Sequence, residues 1–392
     1  MRDVIVVGMG PAGTAAAADL ARAGFSVMGL EWKAHPRYKV CGGGLSARID
    51  RLLDPDYRSV VEDTIHRVRF QFAGAEVFEI ASPDPIAYMV MRSRFDAYLV
   101  RKAQDVGVHV QDDERVVAVS EDARGVEVVT ERGRYRARVV VGADGANSAM
   151  RRMLFPAGKG RLASGLEGEA IVHQRPFSLE AGTIVIDIGI VPGGYAWVFP
   201  KEGRLSFGVA EFQKRGGNPK GVYARFIQGE STLGCVPVPD GLGHPLPLYR
   251  GGPSERTRLT TDRAVLVGDA AHLVDPLFGE GIYYAILSGQ MAARSIIGWI
   301  RDGNPGLRSY DEQVARDIYP EFRVAARMAW AVYASPRVSH HLIRRKPEII
   351  RRYYDVLTGR ETYQSFYATV RDEARSSLAN LLRKACSSAF SR

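Results

Sequence analysis

The feature that most constrains this chain is a pair of glycine-rich segments that lie more than 250 residues apart. The first contains Gly8, Gly10 and Gly13, a spacing that alone predicts the binding of a dinucleotide without identifying which one. The second begins at Gly268-Asp269 and continues through Gly279-Glu280-Gly281, a form suited to the far end of the same ligand. Because each segment suits a different part of FAD, the two together predict a flavoprotein.

The first glycine segment lies inside a predicted strand–helix–strand unit. Val4–Val7 is a short apolar strand, residues 14–23 form an alanine-rich helix, and a second strand ends at Glu31, about 20 residues after the glycines. Glycines let the backbone approach a pyrophosphate at the helix N-terminus, and the Glu31 carboxylate can accept hydrogen bonds from ribose hydroxyls. An acid here disfavours a 2′-phosphate, so NADP is not the predicted ligand of this unit. The predicted cofactor contacts are Gly8, Gly10, Pro11, Ala12, Gly13, Glu31 and Trp32.

Length and composition indicate an ordinary protein with a full core. The chain has 392 residues, 46% hydrophobic and 25% charged, enough for two domains or one composite unit. No run of 18 uninterrupted apolar residues occurs, so no membrane-spanning helix is predicted. Cys41, Cys235 and Cys386 are scattered without metal-ligand spacing, which predicts a reducing cytoplasm, no disulfide framework and no metal site.

The remaining pattern predicts the domain organisation. Helical sequence is expected near Leu45–Leu53 and over 92–104, further strand sequence over Val108–Val119, antiparallel strands over 166–212, and helices from Gly281 onward. No internal repeat or second dinucleotide fingerprint is visible. The predicted fold is α/β (α+β), with a discontinuous Rossmann-like FAD-binding domain (1–65, 90–160 and 255–300), an inserted antiparallel β-sheet substrate domain (66–89 and 161–254) and a helical, basic C-terminal region (301–392).

Positive charge is concentrated near the C-terminus. The net charge is +9, and residues 337–392 contain twelve Lys and Arg against five Asp and Glu. Such a region can be a solvated helical surface or a contact for anionic lipid headgroups. No nucleic-acid recognition motif accompanies the charge, so nucleic acid is not a predicted partner.

These landmarks resemble the FAD-dependent oxidoreductases of the para-hydroxybenzoate hydroxylase fold over residues 3–300. Three details narrow the resemblance to the geranylgeranyl reductase family. Residues 39–45, KVCGGGL, are similar to its Cys-Gly-rich segment near the flavin. Residues 195–200, YAWVFP, match its substrate-cavity form Y-x-W-x-F-P and are the most specific of the three. Residues 279–285, GEGIYYA, are similar to its flavin-contacting turn.

The resemblance implies roles for particular residues. Asp269 would hold the ribityl or pyrophosphate part of FAD, Val116 would offer adenine a backbone contact, and Cys41 would line the active site or be a small packing residue. Tyr195, Trp197 and Phe199 alternate along a strand that Pro200 is expected to end, so the three aromatic side chains share one face. The implied cofactor contacts are Gly42, Gly43, Arg92, Val116, Asp144, Asp269, Gly279, Gly281 and Ile282; the implied catalytic residues are Cys41, Gly279 and Gly281; the implied substrate contacts are Tyr195, Trp197, Phe199 and Pro200.

The expected activity is reduction of carbon–carbon double bonds of a hydrophobic prenyl chain, with NAD(P)H or another reductant as electron donor and peripheral membrane contact through the basic region. His272 departs from the family's usual glycine and keeps an aromatic monooxygenase open as an alternative. Flavin halogenases carry a related motif, but with tryptophan where this chain has Tyr195. A non-catalytic, electron-relaying flavoprotein is the third alternative, and the oligomeric state is left open.

Overall fold

The structure is a computed structural model that describes residues 1–155, 162–172, 179–213, 218–233, 239–249, 258–303 and 306–373. Cys235 and Cys386 lie outside the described residues. The strands are β1 Arg2–Val7, β2 Val27–Leu30, β3 Gly44–Ser46, β4 Val61–Ile65, β5 Arg67–Phe72, β6 Ala75–Ala81, β7 Ala87–Val90, β8 His109–Gln111, β9 Val116–Asp122, β10 Gly125–Thr130, β11 Arg134–Gly142, β12 Leu162–Ile171, β13 Thr183–Ile188, β14 Gly194–Lys201, β15 Arg204–Glu211, β16 Leu242–Pro247 and β17 Ala264–Leu266. The helices are α1 Pro11–Arg22, α2 Arg92–Asp105, α3 Ala149–Leu154, α4 Pro219–Gly229, α5 Ile282–Asp302, α6 Arg308–Asp317, α7 Tyr319–Ala334, α8 Pro336–Arg345 and α9 Pro347–Leu357, followed by helical residues 363–373.

The first sheet is built around β1, whose apolar residues 4–7 are buried. Its order is β8-β2-β1-β11-β10-β9, with β17 beside β11. β1 pairs in parallel with β2 and β11, and β11 pairs in parallel with β17. The glycine turn therefore leaves the carboxyl end of a central strand, where a parallel sheet places its ligand.

Two glycines allow α1 and α5 to pack in this layer. A Cβ on Gly13 would lie 1.9 Å from the carbonyl oxygen of Gly8, so the turn closes on the helix only without a side chain there. A Cβ on Gly289 in α5 would lie 2.3 Å from the carbonyl oxygen of Ala12. Because neither glycine has a side chain, α5 can pack against α1, although the two helices are far apart in the sequence.

The second sheet has the order β16-β12-β15-β14-β13-β5-β6 and is antiparallel except for the parallel pair β5–β13. β14 continues to Lys201, so the prediction that Pro200 ends this strand is wrong by one residue. Pro200 lies opposite Leu205 of β15 and beyond the part of β14 that pairs with β13, so no β13 carbonyl needs its missing N–H. The strands β3-β7-β4 form a third, three-stranded sheet, whose strands β4 and β7 contact β14 of the second sheet.

Two predicted elements differ from the structure. The helix expected near Leu45–Leu53 is instead β3 followed by a 3-10 turn, Ala47–Arg51, because Gly44–Ser46 pairs with β7. The strand sequence expected over Val108–Val119 forms two strands, β8 and β9, with a break between them. Asp113 has a φ of +55° between them, a conformation that breaks a strand.

The C-terminal helices cover the second sheet. α8 packs on β5 and β13, and α9 packs on β6 and on the turn Ala47–Arg51. We propose that the division into a FAD-binding domain, a substrate domain and a helical region follows these layers. Within the described ranges, no helix is long and apolar enough to cross a membrane.

Candidate functional site

A cavity of about 740 Å³ lies where the glycine turn of the first sheet faces the second sheet. Its polar part is lined by the β1–α1 turn, by Glu31 and by the loop after β2. Its apolar part continues across the second sheet to α9. The apolar lining comprises Val68, Phe70, Ile184, Ile186, Tyr195, Trp197, Ala210, Phe212, Leu246, Phe278, Ile350, Tyr353, Tyr354 and Leu357.

The polar part contains the backbone cradle expected for a dinucleotide. Gly8 has a φ of +95°, and a Cβ there would lie 2.4 Å from the carbonyl oxygen of Ala143. The buried Glu31 accepts a hydrogen bond from the Met9 N–H at 2.9 Å through Oε2. Glu31 thereby fixes the turn and still presents carboxylate lone pairs at the cavity wall.

Two arginines share one buried carboxylate beside this cradle. Asp96 accepts from Arg92 Nε at 2.9 Å and from Arg92 NH2 at 3.0 Å, and Arg37 NH1 lies 3.3 Å away. Burial works to lower the pKa of Arg92, but the charge of Asp96 and its hydrogen bonds to the guanidinium outweigh burial and raise that pKa. Both arginines line the cavity, so α2 and the loop after β2 hold fixed positive charge there.

Asp269 and Gly281 meet at the start of α5. Asp269 lies in the 3-10 turn Gly268–Ala271 and lines the cavity. Gly281 is the N-cap of α5, and a Cβ on it would lie 3.5 Å from Asp269 Oδ1. Gly279 has a φ of +70° and faces the ring of Phe212, where a Cβ would come within 3.1 Å. Free N–H groups at a helix start favour negative charge, so this turn can stabilise an anionic edge of a ligand.

The carboxylate of Asp144 is used inside its own loop. It accepts from Ser148 Oγ at 2.5 Å and from the N–H groups of Ala149 and Met150 at 2.6 and 3.0 Å. Burial raises the pKa of Asp144, and these hydrogen bonds act against the shift. Asp144 therefore binds the first N–H groups of α3, whose N-cap is Ser148, while the loop that contains it still lines the cavity.

The Cys41 loop is tied to the second sheet by Glu167. Oε2 of this buried carboxylate accepts from the Cys41 N–H at 3.0 Å and the Tyr38 hydroxyl at 3.2 Å, and Oε1 accepts from Ser206 Oγ at 3.1 Å. Burial raises the pKa of Glu167, whereas the charge of Lys201 lowers it. Because β12 supplies Glu167, the sheet positions the loop.

Gly42 lets this loop press against the aromatic strand. A Cβ on Gly42 would lie 3.0 Å from the Phe199 ring and 3.1 Å from Trp197 Nε1. Gly43 has a φ of +72°, and a Cβ there would lie 2.1 Å from the Val90 carbonyl oxygen. The glycines after Cys41 are therefore needed for packing as well as for the approach of a ligand.

Lys39 and His244 form a hydrogen-bonded pair in the cavity wall, with the ammonium donating to the imidazole ring. Burial, together with the charges of Lys39 and Arg92, lowers the pKa of His244 to about 3, so the ring is neutral. Burial and Arg92 also lower the pKa of Lys39. The pair is a proton-bearing group in the wall of the cavity.

The aromatic strand β14 forms one wall of the apolar part. Tyr195, Trp197 and Phe199 all line it, as expected from their shared face. Tyr195 stacks on Phe212 at 5.6 Å between ring centroids, and its hydroxyl donates to the carbonyl of Phe278 at 2.8 Å. The hydroxyl is thus occupied, and the ring presents an apolar surface.

Most predicted site residues meet in this one cavity, but Gly13, Val116 and Pro200 do not line it. Gly13 packs behind the glycine turn, and Val116 begins β9. His272 ends the 3-10 turn with a φ of +59° and is also absent from the lining. Its position gives no support to a catalytic role.

Several lining residues were not predicted. Arg37 and Tyr38 directly precede the Cys-Gly-rich segment 39–45, and Lys39 is the first residue of that segment, so their proximity to the motif is a signal that could have identified them. Glu167 and His244 stand alone in strands, with no motif around them. The four α9 residues carry only the amphipathic spacing of an ordinary helix, which cannot show that a helix closes a cavity.

Asp275 is a buried carboxyl in the turn before Gly279. Its Oδ1 accepts from the N–H groups of Leu277 and Phe278 at 2.6 and 3.0 Å. Burial raises the pKa of Asp275 to about 6, with Glu280 adding to the shift and Tyr363 opposing it. The protonated side chain is therefore the form that the fold favours.

Asp275→Asn is expected to remove a pH dependence of stability. The folded pKa lies above the unfolded one, so the wild type keeps this stabilisation below about pH 4 and loses it as the pH rises through 6. Between pH 4 and 7.5 the unfolding free energy of the variant should gain up to about 3 kcal/mol relative to the wild type. Denaturant titrations across this range measure the difference, and a constant difference would contradict the assignment.

The residues around the polar part fit FAD. The glycine cradle, Glu31 and the arginines provide backbone donors, an acceptor and positive charge for a nucleotide with a pyrophosphate. Arg37 Nε and Trp197 Nε1 are buried and lack a hydrogen-bond partner among the residues that the structure describes. Both belong to residues that line the cavity and can donate to a bound group.

Comparisons with known proteins agree with this geometry. A family model described as an FAD binding domain matches residues 1–178. Digeranylgeranylglycerophospholipid reductase 1 of Methanopyrus kandleri is 32% identical over 351 residues, which are 83% of this chain and 89% of that protein. Geranylgeranyl diphosphate reductase of Rhodobacter capsulatus is 30% identical over 385 residues, 93% of this chain and 91% of that protein.

Solved structures share the fold. A geranylgeranyl bacteriochlorophyll reductase-like protein from Thermoplasma acidophilum has a TM-score of 0.76 at 22% identity, covering 95% of this chain and 98% of its own. A variant of a flavin-dependent brominase has a TM-score of 0.74 at 20% identity, covering 96% and 100%. At such identities the two structures establish the fold alone.

The fold, the cavity and the matched domain define an FAD-dependent oxidoreductase, and the predicted fold class and cofactor are confirmed. Two reductases are at least 30% identical to the chain, and the chain covers about nine-tenths of each. The chain belongs to the geranylgeranyl reductase family.

Proposed function

We propose that the protein reduces carbon–carbon double bonds of a geranylgeranyl or other prenyl chain carried on a lipid, pigment or diphosphate. The observation that carries the proposal is the apolar part of the cavity, which continues from the Cys41 loop across the second sheet to α9. An extended hydrocarbon needs such a wall of aliphatic and aromatic side chains. The names of the two reductase relatives support the same substrate class.

Bound FAD, reduced by NAD(P)H or another donor, would supply hydride chemistry at this site, and addition of a hydride to one alkene carbon and of a proton to the other would saturate the bond. The chain's own contribution is orientation and the exclusion of water. Tyr195 and Phe212 present stacked rings to the hydrocarbon. Because Gly279 and Gly281 have no side chains, the backbone of this turn can lie close to a ligand in the cavity. Alignment matters because an unactivated alkene has no polar group to direct the reaction.

The catalytic contribution of Cys41 is proposed to come from its place between the two parts of the cavity. Glu167 fixes its backbone N–H, and the Gly43 N–H donates to its Sγ at 3.4 Å. Lys39 and His244 line the same cavity and can hold a proton there. Tyr195, Trp197 and Phe199 are the proposed substrate contacts.

An anaerobic single-turnover experiment tests the proposal. The dithionite-reduced enzyme is incubated with geranylgeranyl diphosphate and with geranylgeranylated lipids, and product masses are measured. Mass gains in steps of two hydrogens, lost in Asp269→Ala together with bound FAD, would support prenyl reduction. Oxygen insertion into aromatic compounds under air with NAD(P)H would favour the monooxygenase instead. Bound FAD that yields neither product would favour electron relay.

Ala210→Trp is expected to block the apolar part of the cavity. Ala210 lies opposite Tyr195 in the β14–β15 pair and lines the cavity, so an indole there occupies the proposed path of the chain. FAD content should be retained, while turnover of geranylgeranyl diphosphate falls at least about 10-fold and that of the shorter geranyl diphosphate falls less. Ala210→Ser is the control, with little change expected. An equal loss for both substrates would contradict the proposed path.

A further inference from the structure

A surface formed by α7 and α8 combines exposed apolar and basic side chains. We call it the α7–α8 surface and define it by the exposed residues Arg323, Arg327, Trp330, Arg337, Val338, Leu342, Arg344, Arg345 and Lys346. Arg323, Arg327 and Trp330 are spaced by four and three residues, so they share one face of α7. None of the nine lines the cavity.

The apolar members of this surface are unusually open to solvent. Trp330 and Val338 are each 67% exposed, more than any other large apolar side chain of the described residues except Met1. Leu342 is 47% exposed and lies one turn after Val338 on the same face of α8. The buried His340 faces the other way, with its ring 4.9 Å from Phe78 and 5.8 Å from Phe72. One side of α8 therefore packs on the second sheet, and another side exposes apolar side chains to solvent.

The charge on this surface is almost wholly positive. Residues 323–351 contain seven Lys and Arg against one acid, Glu348. In the ranges that the structure describes, Arg337 pairs with Glu76 at 3.6 Å, while Arg323, Arg327, Arg344, Arg345 and Lys346 have no ion pair. This surface therefore combines these unpaired basic side chains with exposed Trp, Val and Leu. Helices that lie in a membrane interface have the same composition.

We propose that the α7–α8 surface docks on an anionic lipid bilayer. Trp330, Val338 and Leu342 would enter the boundary between headgroups and acyl chains, and the surrounding Arg and Lys would contact headgroup phosphates. An anionic bilayer is the occupant that the charge complements, because it offers many negative groups on one apolar plane. A second copy of this chain would bring the same positive charges together.

The place of this surface explains why docking would matter, an argument that rests on the proposed function. α9 follows α8 after Lys346 and packs against it. Ile350, Tyr353, Tyr354 and Leu357 of α9 line the apolar part of the cavity. A bilayer at α8 would thus lie beside the helix that forms the cavity wall, so a prenyl chain could pass between the two apolar environments.

Vesicle co-sedimentation of the full chain with bound FAD tests the docking without any turnover. Binding is expected to vesicles that contain phosphatidylglycerol, to be weaker to pure phosphatidylcholine, and to fall with salt. The triple variant Arg344→Gln, Arg345→Gln, Lys346→Gln should bind about 100-fold more weakly. The matched control, Arg101→Gln, Arg124→Gln, Lys220→Gln, removes three exposed charges elsewhere and should bind like the wild type. Equal binding of the two triple variants would overturn the proposal.

Trp330 offers a second and direct measurement. Its fluorescence should be quenched by vesicles with brominated acyl chains, and the quenching should disappear in Trp330→Phe, which retains the other tryptophans. Unquenched Trp330 fluorescence in a vesicle-bound protein would overturn the assigned orientation. A stable dimer without lipid that Trp330→Ser dissociates would overturn the proposal in favour of a contact between two copies. Because neither measurement needs a product, failure of the docking is distinguishable from failure of the reductase activity.

Discussion

Gly13→Ala is expected to yield a protein that retains almost no FAD. A methyl group at this position would lie 1.9 Å from the carbonyl oxygen of Gly8 and 3.1 Å from Val6, so the turn and the first helix must separate. The fold should lose about 3 kcal/mol or more, because backbone atoms cannot move aside as a flexible side chain would. The ratio of flavin to protein absorbance after purification, together with the melting temperature, measures both effects.

Gly10→Ala is the matched control for this substitution. The nearest atom to a Cβ on Gly10 is Arg37 NH2 at 3.6 Å, an ordinary contact, and Gly10 is the N-cap of α1 with a φ of −77°. The melting temperature of Gly10→Ala should change little, but the affinity of this variant for FAD should fall because the added methyl group enters the cavity. Equal stability and equal flavin content of the two variants would show that the close Gly8–Gly13 approach does not hold the cofactor site.

Asp96→Asn is expected to destabilise the protein by about 3 to 5 kcal/mol, because the buried Arg92 and the partly buried Arg37 lose their shared carboxylate. Asp96 is fully buried, and both Arg37 and Arg92 line the cavity. Chemical denaturation of the FAD-free protein measures the loss. Since the guanidinium groups also lose their anchor, FAD affinity should decrease as well.

A double variant separates these two consequences. Arg92→Leu combined with Asp96→Leu replaces the ion pair on α2 with apolar side chains and should recover much of the lost stability. It should not recover FAD binding, because a cavity-lining charge is gone. If the double variant binds FAD like the wild type, then Arg92 acts on the fold alone and has no part in the cofactor site.

The sequence predicted best the elements that are determined by residues close together in the chain. β1, α1 and the strand ending at Glu31 follow from an apolar run, a glycine spacing and an acid that lie within 30 residues of each other. The shared face of Tyr195, Trp197 and Phe199 follows from the strand period alone. In both places short-range geometry decides the structure, so a pattern in the chain is sufficient.

The sequence did not predict the elements whose structure depends on a segment far away in the chain. Gly44–Ser46 becomes a strand because β7, some 40 residues later, pairs with it, and no local pattern contains that partner. The parallel pair β5–β13 joins segments more than 100 residues apart. Glu167 holds the Cys41 loop through one carboxylate, and a single acid in a strand is indistinguishable from a solvated one until the fold is known.

The packing of α5 on α1 has a consequence for how the protein is made. The first helix emerges from the ribosome nearly 270 residues before the residue that covers it, Gly289, and β17 reaches its place beside β11 only after residue 264 is synthesised. Throughout that interval the apolar face of α1 and one side of β11 have no native covering, so they are surfaces that chaperones recognise. The nascent chain therefore cannot complete its nucleotide pocket, and is not expected to capture FAD, until the residues of β17 and α5 have been synthesised.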